Sequence, residues 1–306
     1  MSFDDEDAGI LKEEIAALKK TRSAVILAHV YQRPSVQRIA DSTGDSLELS
    51  RQAVKTRAEV IVFCGVRFMA ETASILNPGK TVLLPELAAG CDLADSATAD
   101  QVRRRLAELP EDTAVVSYVN SSAEVKAESY ACCTSANVVK VVESVPHEHV
   151  LFVPDRNLAS YAAERTGKDV IPWDGQCYVH DPNISPDAVR DLKRLHPHAA
   201  VMVHPECSPA VRRLADFVGS TSQMLAYAAQ SDRHQFIVAS EEGLLHPLRE
   251  QNPHKEFYSP GSVCSSMRLT TLCSVRRALD RMANVVSVPQ EVRERAAVAL
   301  NRMLAA

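Results

Sequence analysis

Apolar positions fall in short runs separated by amphipathic stretches. "SAVILAHV" (23–30), "AEVIVFC" (58–64) and "TVLL" (81–84) are nearly unbroken aliphatic and β-branched runs, the pattern of parallel strands buried on both faces. Segments such as "SLELSRQAVKTR" between them carry apolar residues at helical spacing. This alternation predicts βαβ units. The cycle returns with "TAVVSYV" (113–119), "HVLFV" (149–153) and "KDVI" (168–171), and again with "AAVMVH" (199–204), "HQFIV" (234–238) and "KEFY" (255–258). Ile26 and Ile61, Val116 and Leu151, and Met202 and Ile237 are each 35 residues apart. Repetition at one period predicts an α/β protein of three similar α/β layers around a pseudo-threefold axis, with equivalent loops meeting at the centre. The expected boundaries are 1–90, 91–176 and 177–267, with 268–306 packing back on the first. Amphipathic helices over 10–20 and 288–304 are expected to pack outside the repeats.

Each unit closes with a lysine, a short strand, a proline and a cysteine: Lys80, Pro85, Cys91; Lys168, Pro172, Cys177; Lys255, Pro260, Cys264. If equivalent loops meet, these three cysteines meet. Three thiolates are one short of the four that usually close an iron–sulfur cluster or a structural zinc site, so one metal position is left open; in a cluster, that open iron can act as a Lewis acid. The alternative is that they are small buried hydrophobes, the common fate of an unpaired cysteine. Cys64, Cys132, Cys133, Cys207 and Cys273 have no equivalents across the repeats, and burial is the expectation for them; the adjacent Cys132 and Cys133 are also candidates for a response to oxidation.

Composition narrows the class. With 306 residues, 46% of them hydrophobic, the chain can bury a large core. A net charge of −5 and a pI near 6.1 give no basic field for nucleic acid. The acidic start "MSFDDEDAG" lacks the features of a leader, and no apolar run approaches the roughly 20 residues that span a bilayer, so a cytoplasmic protein with reduced cysteines is expected, with neither nucleic acid nor membrane as partner.

Polar residues cluster where each first strand ends: His29 and Tyr31 in "HVYQ", Tyr118 and Asn120 in "YVN", His204 and Glu206 in "HPEC". Strand C-termini face the ligand crevice in parallel sheets. Farther on in each repeat comes an expected helix start rich in small hydroxyl residues: "STGDS" (42–46), "CCTSAN" (132–137) and "GSTSQ" (219–223). Any one of these reads as a helix cap; three at equivalent places predict a site for a small substrate bearing carboxylate or phosphate.

The motifs "ILAHVYQRPSVQRIADSTGDSLELS", "FCGVRFMAETASILNP", "YVNSSAEVKA", "CCTSAN", "HPEC", "ADFVGSTSQM", "EEGLLH" and "CSSMRLTTL" make the chain resemble the quinolinate synthase family along nearly its whole length. The resemblance implies three αβα domains around one 4Fe–4S cluster, and condensation of iminoaspartate with dihydroxyacetone phosphate to quinolinate, releasing phosphate and water, for NAD biosynthesis. It implies Cys91, Cys177 and Cys264 as cluster ligands and His29, Tyr31, His204 and Glu206 as the acid–base set. Ser46, Tyr118, Asn120, Ser135, His180, Ser220 and Thr221 are implied as substrate-binding residues, with Met69 lining the cavity. A functional link to an L-aspartate oxidase, the source of iminoaspartate, also follows. Rival expectations are a hydro-lyase of another polyanion and a non-catalytic iron–sulfur sensor; acid–base residues at the strand ends argue against the sensor.

Overall fold

The computed structural model describes residues 3–306, with side chains from residue 9 onward; most of the acidic N-terminal stretch therefore lies outside the described side chains. The nine apolar runs become strands and three short edge strands join them, so that the described residues form twelve: β1 Ala24–His29, β2 Ser42–Gly44, β3 Val60–Cys64, β4 Thr81–Leu83, β5 Thr113–Tyr118, β6 Ala131–Cys133, β7 His149–Val153, β8 Asp169–Pro172, β9 Ala200–Val203, β10 Phe217–Val218, β11 Gln235–Ala239 and β12 Glu256–Tyr258. They form three four-stranded parallel sheets in the orders β2-β1-β3-β4, β6-β5-β7-β8 and β10-β9-β11-β12. With helices between the strands, the fold is three similar αβα repeats. Every residue of β3 is buried, which is why this strand reads as a continuous apolar run; β5 is buried throughout as well, with Thr113 and Ser117 among its residues.

Register explains the constant spacing in the sequence. Ala24 pairs with Val60, Thr113 with His149 and Ala200 with Phe236, an offset of 36 each time. Leu27 pairs with Ser42, Val116 with Ala131 and Met202 with Phe217, an offset of 15 each time. The edge strands β2, β6 and β10 are only two or three residues long; β2 and β6 overlap the expected helix-start segments and β10 just precedes one, and the helices begin where expected, after Asp45, Asn137 and Ser220. Strands of two or three residues carry no period-2 signal. Pro172 sits inside β8 rather than after it, tolerated because β8 is an edge strand and needs no N–H on its outer side.

The recurring lysine has a structural role. Lys80 Nζ donates to Ala53 O (3.4 Å) and Thr56 O (2.5 Å), Lys168 Nζ to Val145 O and His147 O (2.8 Å each), and Lys255 Nζ to Ala228 O (2.6 Å) and Ser231 O (2.7 Å). Each ammonium meets the carbonyls left over at the end of the helix before the third strand, where the helix dipole favours a cation.

The chain divides into two compact units, residues 1–91 with 265–294 and residues 92–264 with 295–306. In the first, helices Phe3–Thr21 and Leu272–Arg281 cover one face of the β1–β4 sheet, with Ile15, Leu272, Val275 and Leu279 packed on Ile26, Val60, Val62 and Leu83. In the second, one core gathers Val102, Val115, Leu151 and Val153, and another gathers Val189, Val201, Val211 and Ile237. No described helix is long and apolar enough to cross a membrane.

Candidate active site and metal centre

In the second unit the carboxyl ends of β5 and β9 carry Tyr118, Asn120, His204 and Glu206. Tyr118 Oη donates to Glu206 Oε2 at 3.3 Å. His204 Nδ1 and His180 Nδ1 lie 3.2 and 3.4 Å from the same oxygen. The two imidazoles stack at 4.4 Å with 21° between their planes. All four side chains are buried. His180 arrives on the turn after Cys177, whose carbonyl accepts from the amides of His180 (3.0 Å) and Asp181 (2.8 Å).

Burial sets the electrostatics. It pushes the Glu206 carboxyl well above its ordinary range, and the neighbouring Asp155 charge adds to the rise. Glu206 N donates to His204 Nδ1 at 3.4 Å, so that nitrogen accepts and Nε2 carries the proton. Glu206 Oε1 and Asn120 Oδ1 are buried without a hydrogen-bond partner, two polar atoms whose placement suits a ligand.

The first unit repeats the device. Tyr31 N donates to His29 Nδ1 at 3.2 Å, and the Tyr31 ring meets the imidazole edge-on at 4.5 Å. Burial lowers the His29 pKa to about 4 against an opposing pull from Asp45, leaving a neutral Nε2–H donor at pH 7. Met69 is buried in the same unit, and Ser46 and Cys91 are partly buried there.

The hydroxyl positions divide. Ser220 caps helix Thr221–Gln230, its Oγ accepting from Gln223 N at 3.3 Å, and both Ser220 and Thr221 are buried. Ser46 is instead the first residue of its helix, which Asp45 caps through Leu47 N and Glu48 N (3.0 Å each). Ser135 is half-buried in the turn where Asn137 Oδ1 accepts from Thr134 N at 2.8 Å.

The three cysteine loops are built alike. Two residues before each cysteine a carbonyl accepts a backbone N–H: Ala89 O from Arg67 (2.8 Å), Gly175 O from Arg156 (2.8 Å) and Ser262 O from Glu242 (2.9 Å). Gly175 has no room for a side chain, since a Cβ would meet Pro154 O at 2.3 Å. Two acids absent from the sequence expectations hold two of the loops. Asp155 accepts from Leu158 N (2.6 Å) and Cys177 N (3.3 Å), and Glu241 accepts from Gly243 N (2.5 Å) and Cys264 N (3.2 Å). Val66 takes their place in the first repeat, an irregularity that hides the pattern in the sequence.

Cys91, Cys177 and Cys264 are all partly exposed, unlike the buried Cys64, Cys132, Cys133 and Cys207. Cys273 is exposed, contrary to the expectation of burial. Burial raises the Cys132 thiol to about 11 and pushes Cys133 up as well, which opposes the thiolate that oxidation needs. Potential ligand atoms of Cys177, His180 and Glu206 all lie within 4.8 Å of one another. A cysteine sulfur, an imidazole nitrogen and a carboxyl oxygen form a donor set that suits a transition metal such as iron. Two clefts of about 430 and 340 Å³ lie elsewhere, one lined by Asp112, Glu148 and Lys168 and the other by His198, His234 and His254, and neither includes a candidate residue.

Parallel αβα repeats here bury an acid, two imidazoles and a phenol together beside their strand ends, the groups an acid–base enzyme uses. The sequence model described as "Quinolinate synthetase A protein" matches residues 13–305. Relatives include quinolinate synthase of Desulforudis audaxviator, 54% identical across 100% of both chains, and that of Thermodesulfovibrio yellowstonii, 51% identical across 95% of this chain and 97% of the relative. Quinolinate synthase 1 of Methanosarcina acetivorans is 50% identical across 98% of each. The chain belongs to the quinolinate synthetase A family.

Proposed function

We propose that the protein condenses iminoaspartate with dihydroxyacetone phosphate to quinolinate, releasing phosphate and water, for NAD biosynthesis in the cytoplasm, with iminoaspartate supplied by an L-aspartate oxidase. The observation that carries this reading is the convergence of Tyr118, His180 and His204 on one oxygen of a buried Glu206 beside Cys177, in a chain of this family. Cys91, Cys177 and Cys264, one from the closing loop of each repeat, are proposed to hold a 4Fe–4S cluster, with domain boundaries at 1–90, 91–176 and 177–267. When bound, the cluster supplies an open iron as a Lewis acid for a substrate oxygen or nitrogen.

The chain's own groups then have distinct tasks. Glu206, held near its protonated form by burial, is suited to give a proton to a leaving hydroxyl and to take one back from carbon. His204 and His29, each with Nδ1 occupied by a backbone N–H, are donors through Nε2 that orient carboxylate or carbonyl oxygens. Tyr31, Tyr118, His180 and Asn120 orient the substrate around them. Ser46, Ser135, Ser220 and Thr221 are suited to the phosphate and carboxylate groups, with helix N–H donors beside Ser220 and Thr221.

Anaerobically reconstituted protein should form quinolinate from the two substrates, and Glu206→Gln should keep its iron while losing roughly 100-fold in turnover. Normal turnover by Glu206→Gln with intact iron would remove Glu206 from the chemistry. The closeness of Cys177, His180 and Glu206 favours one second reading, a single metal ion held by those three. One metal per chain, retained by Cys91→Ser and Cys264→Ser, would establish that reading; about four irons per chain, lost in both variants, would establish the cluster.

A further inference from the structure

We propose that Gln37, Lys126 and Arg212 are positioning residues, each using a buried side chain to hold the backbone carbonyls beside one site residue: Tyr31, Asn120 and Glu206 respectively. The inference rests on the reading of those three as substrate-facing residues. After the first strand of each sheet the chain passes its site residue, turns and enters one short helix: Pro34–Gln37, Ala123–Ala127 or Pro209–Arg212. The helices begin "PSVQ", "AEVK" and "PAVR". Their third residue, Val36, Val125 or Val211, is an apolar peg with no exposure. Their fourth residue lies six positions after the site residue in every repeat and is a long hydrogen-bond donor, exposed by 6%, 0% and 7% respectively.

The contacts repeat as well. Gln37 Nε2 donates to Val30 O (2.8 Å) and Gln32 O (2.9 Å), the carbonyls on either side of Tyr31. Lys126 Nζ donates to Ser121 O, next to Asn120. Arg212 Nη1 donates to Pro205 O (3.4 Å) and Cys207 O (3.0 Å), on either side of Glu206. These carbonyls lie just beyond the end of a strand, where the sheet ladder no longer supplies donors, so a side chain must. An amide, an ammonium and a guanidinium occupy one equivalent position. The shared property is donation to a carbonyl, and charge is secondary. Arg212 is itself tied to helix Arg156–Ala163, through Asn157 O (3.0 Å), Ser160 Oγ (3.0 Å) and Glu164 Oε1 (2.6 Å). That anchorage holds the Glu206 loop to the element capped by Asp155, the acid that also accepts from Cys177 N.

The test measures kinetics and amide hydrogen exchange on the holoenzyme carrying Arg212→Met, Arg212→Lys, Gln37→Met or Lys126→Met. Arg212→Met should speed exchange of the amides over 204–208 and leave β5, β7 and β11 unchanged. It should lower kcat about 10- to 100-fold with KM within about threefold, the scale expected for a misplaced reacting group. Arg212→Lys, which keeps one donor, should recover part of that loss. In a Glu206→Gln background, Arg212→Met should cost less than about threefold more, because the group it positions is already gone. Gln37→Met and Lys126→Met should loosen 30–32 and 119–121 in the same local way. Unchanged kcat and KM in folded Arg212→Met, or exchange raised throughout the second unit, would overturn the inference. Should Arg212→Met not fold, wild-type exchange and kinetics in both Arg212→Lys and Gln37→Met would overturn it equally. Failure of the wild-type enzyme to make quinolinate would instead count against the proposed reaction, while exchange at 204–208 would still decide the positioning role.

Discussion

His29 should remain uncharged at pH 5, where an ordinary histidine is almost fully protonated. The residue is 5% exposed and burial lowers its pKa to about 4, with Asp45 opposing. The sign follows from proton uptake. Between about pH 6.5 and 4 the unfolded chain binds a proton at this residue and the folded chain does not, so the stability due to the shift is fully present above about pH 6.5 and is lost as pH falls toward 4. A shift of about 2.5 units corresponds to a loss of about 3 kcal/mol at completion, and of about 2 kcal/mol at pH 5. His29→Gln has no proton to take up at this position, so its stability should fall less than that of the wild type between pH 7.5 and 5, by about 2 kcal/mol. Denaturant unfolding of both proteins at the two pH values gives this double difference, and long-range proton–nitrogen spectra of the imidazoles should show His29 as the Nε2–H tautomer at both. A His29 midpoint near pH 6.5, or a double difference below about 0.5 kcal/mol, would refute the account of a neutral donor whose Nδ1 is occupied by Tyr31 N–H.

Cys91→Ser, Cys177→Ser and Cys264→Ser should each lose most of the bound iron, while Cys273→Ser, at an exposed position, keeps it; iron and absorbance per chain decide this. Asp155→Asn and Glu241→Gln retain one accepting oxygen where two are used, so a chelator should remove iron from them several-fold faster than from wild type, with Val66→Ala unchanged as the control. Lys168→Met leaves Val145 O and His147 O without their donor and should cost about 1 kcal/mol of stability, read from the unfolding midpoint, with no change in iron content.

Sequence alone determined the repeat, because a covalent chain that forms one unit three times must repeat its spacings. The constant separation of Ile26 and Ile61, Val116 and Leu151, and Met202 and Ile237 reflects one register offset, and β3 and β9 are legible because strands buried on both faces are apolar throughout. The equivalent cysteines and the polar residues ending each first strand were legible for the same reason. Tertiary structure decided which of those residues meet. Nothing local in the chain brings His180 onto Glu206, 26 positions later, or makes the Glu206 carboxyl favour its protonated form; both follow from the packing of two sheets and the exclusion of water. Asp155 and Glu241 escaped notice because the first repeat has Val66 in their place, so only the hydrogen bonds to Cys177 N and Cys264 N reveal their role. Gln37, Lys126 and Arg212 differ in charge, length and residue class, and share only a donor aimed at a carbonyl. That property belongs to geometry, and it becomes visible once the short helices place each side chain against the backbone of its own strand-end loop.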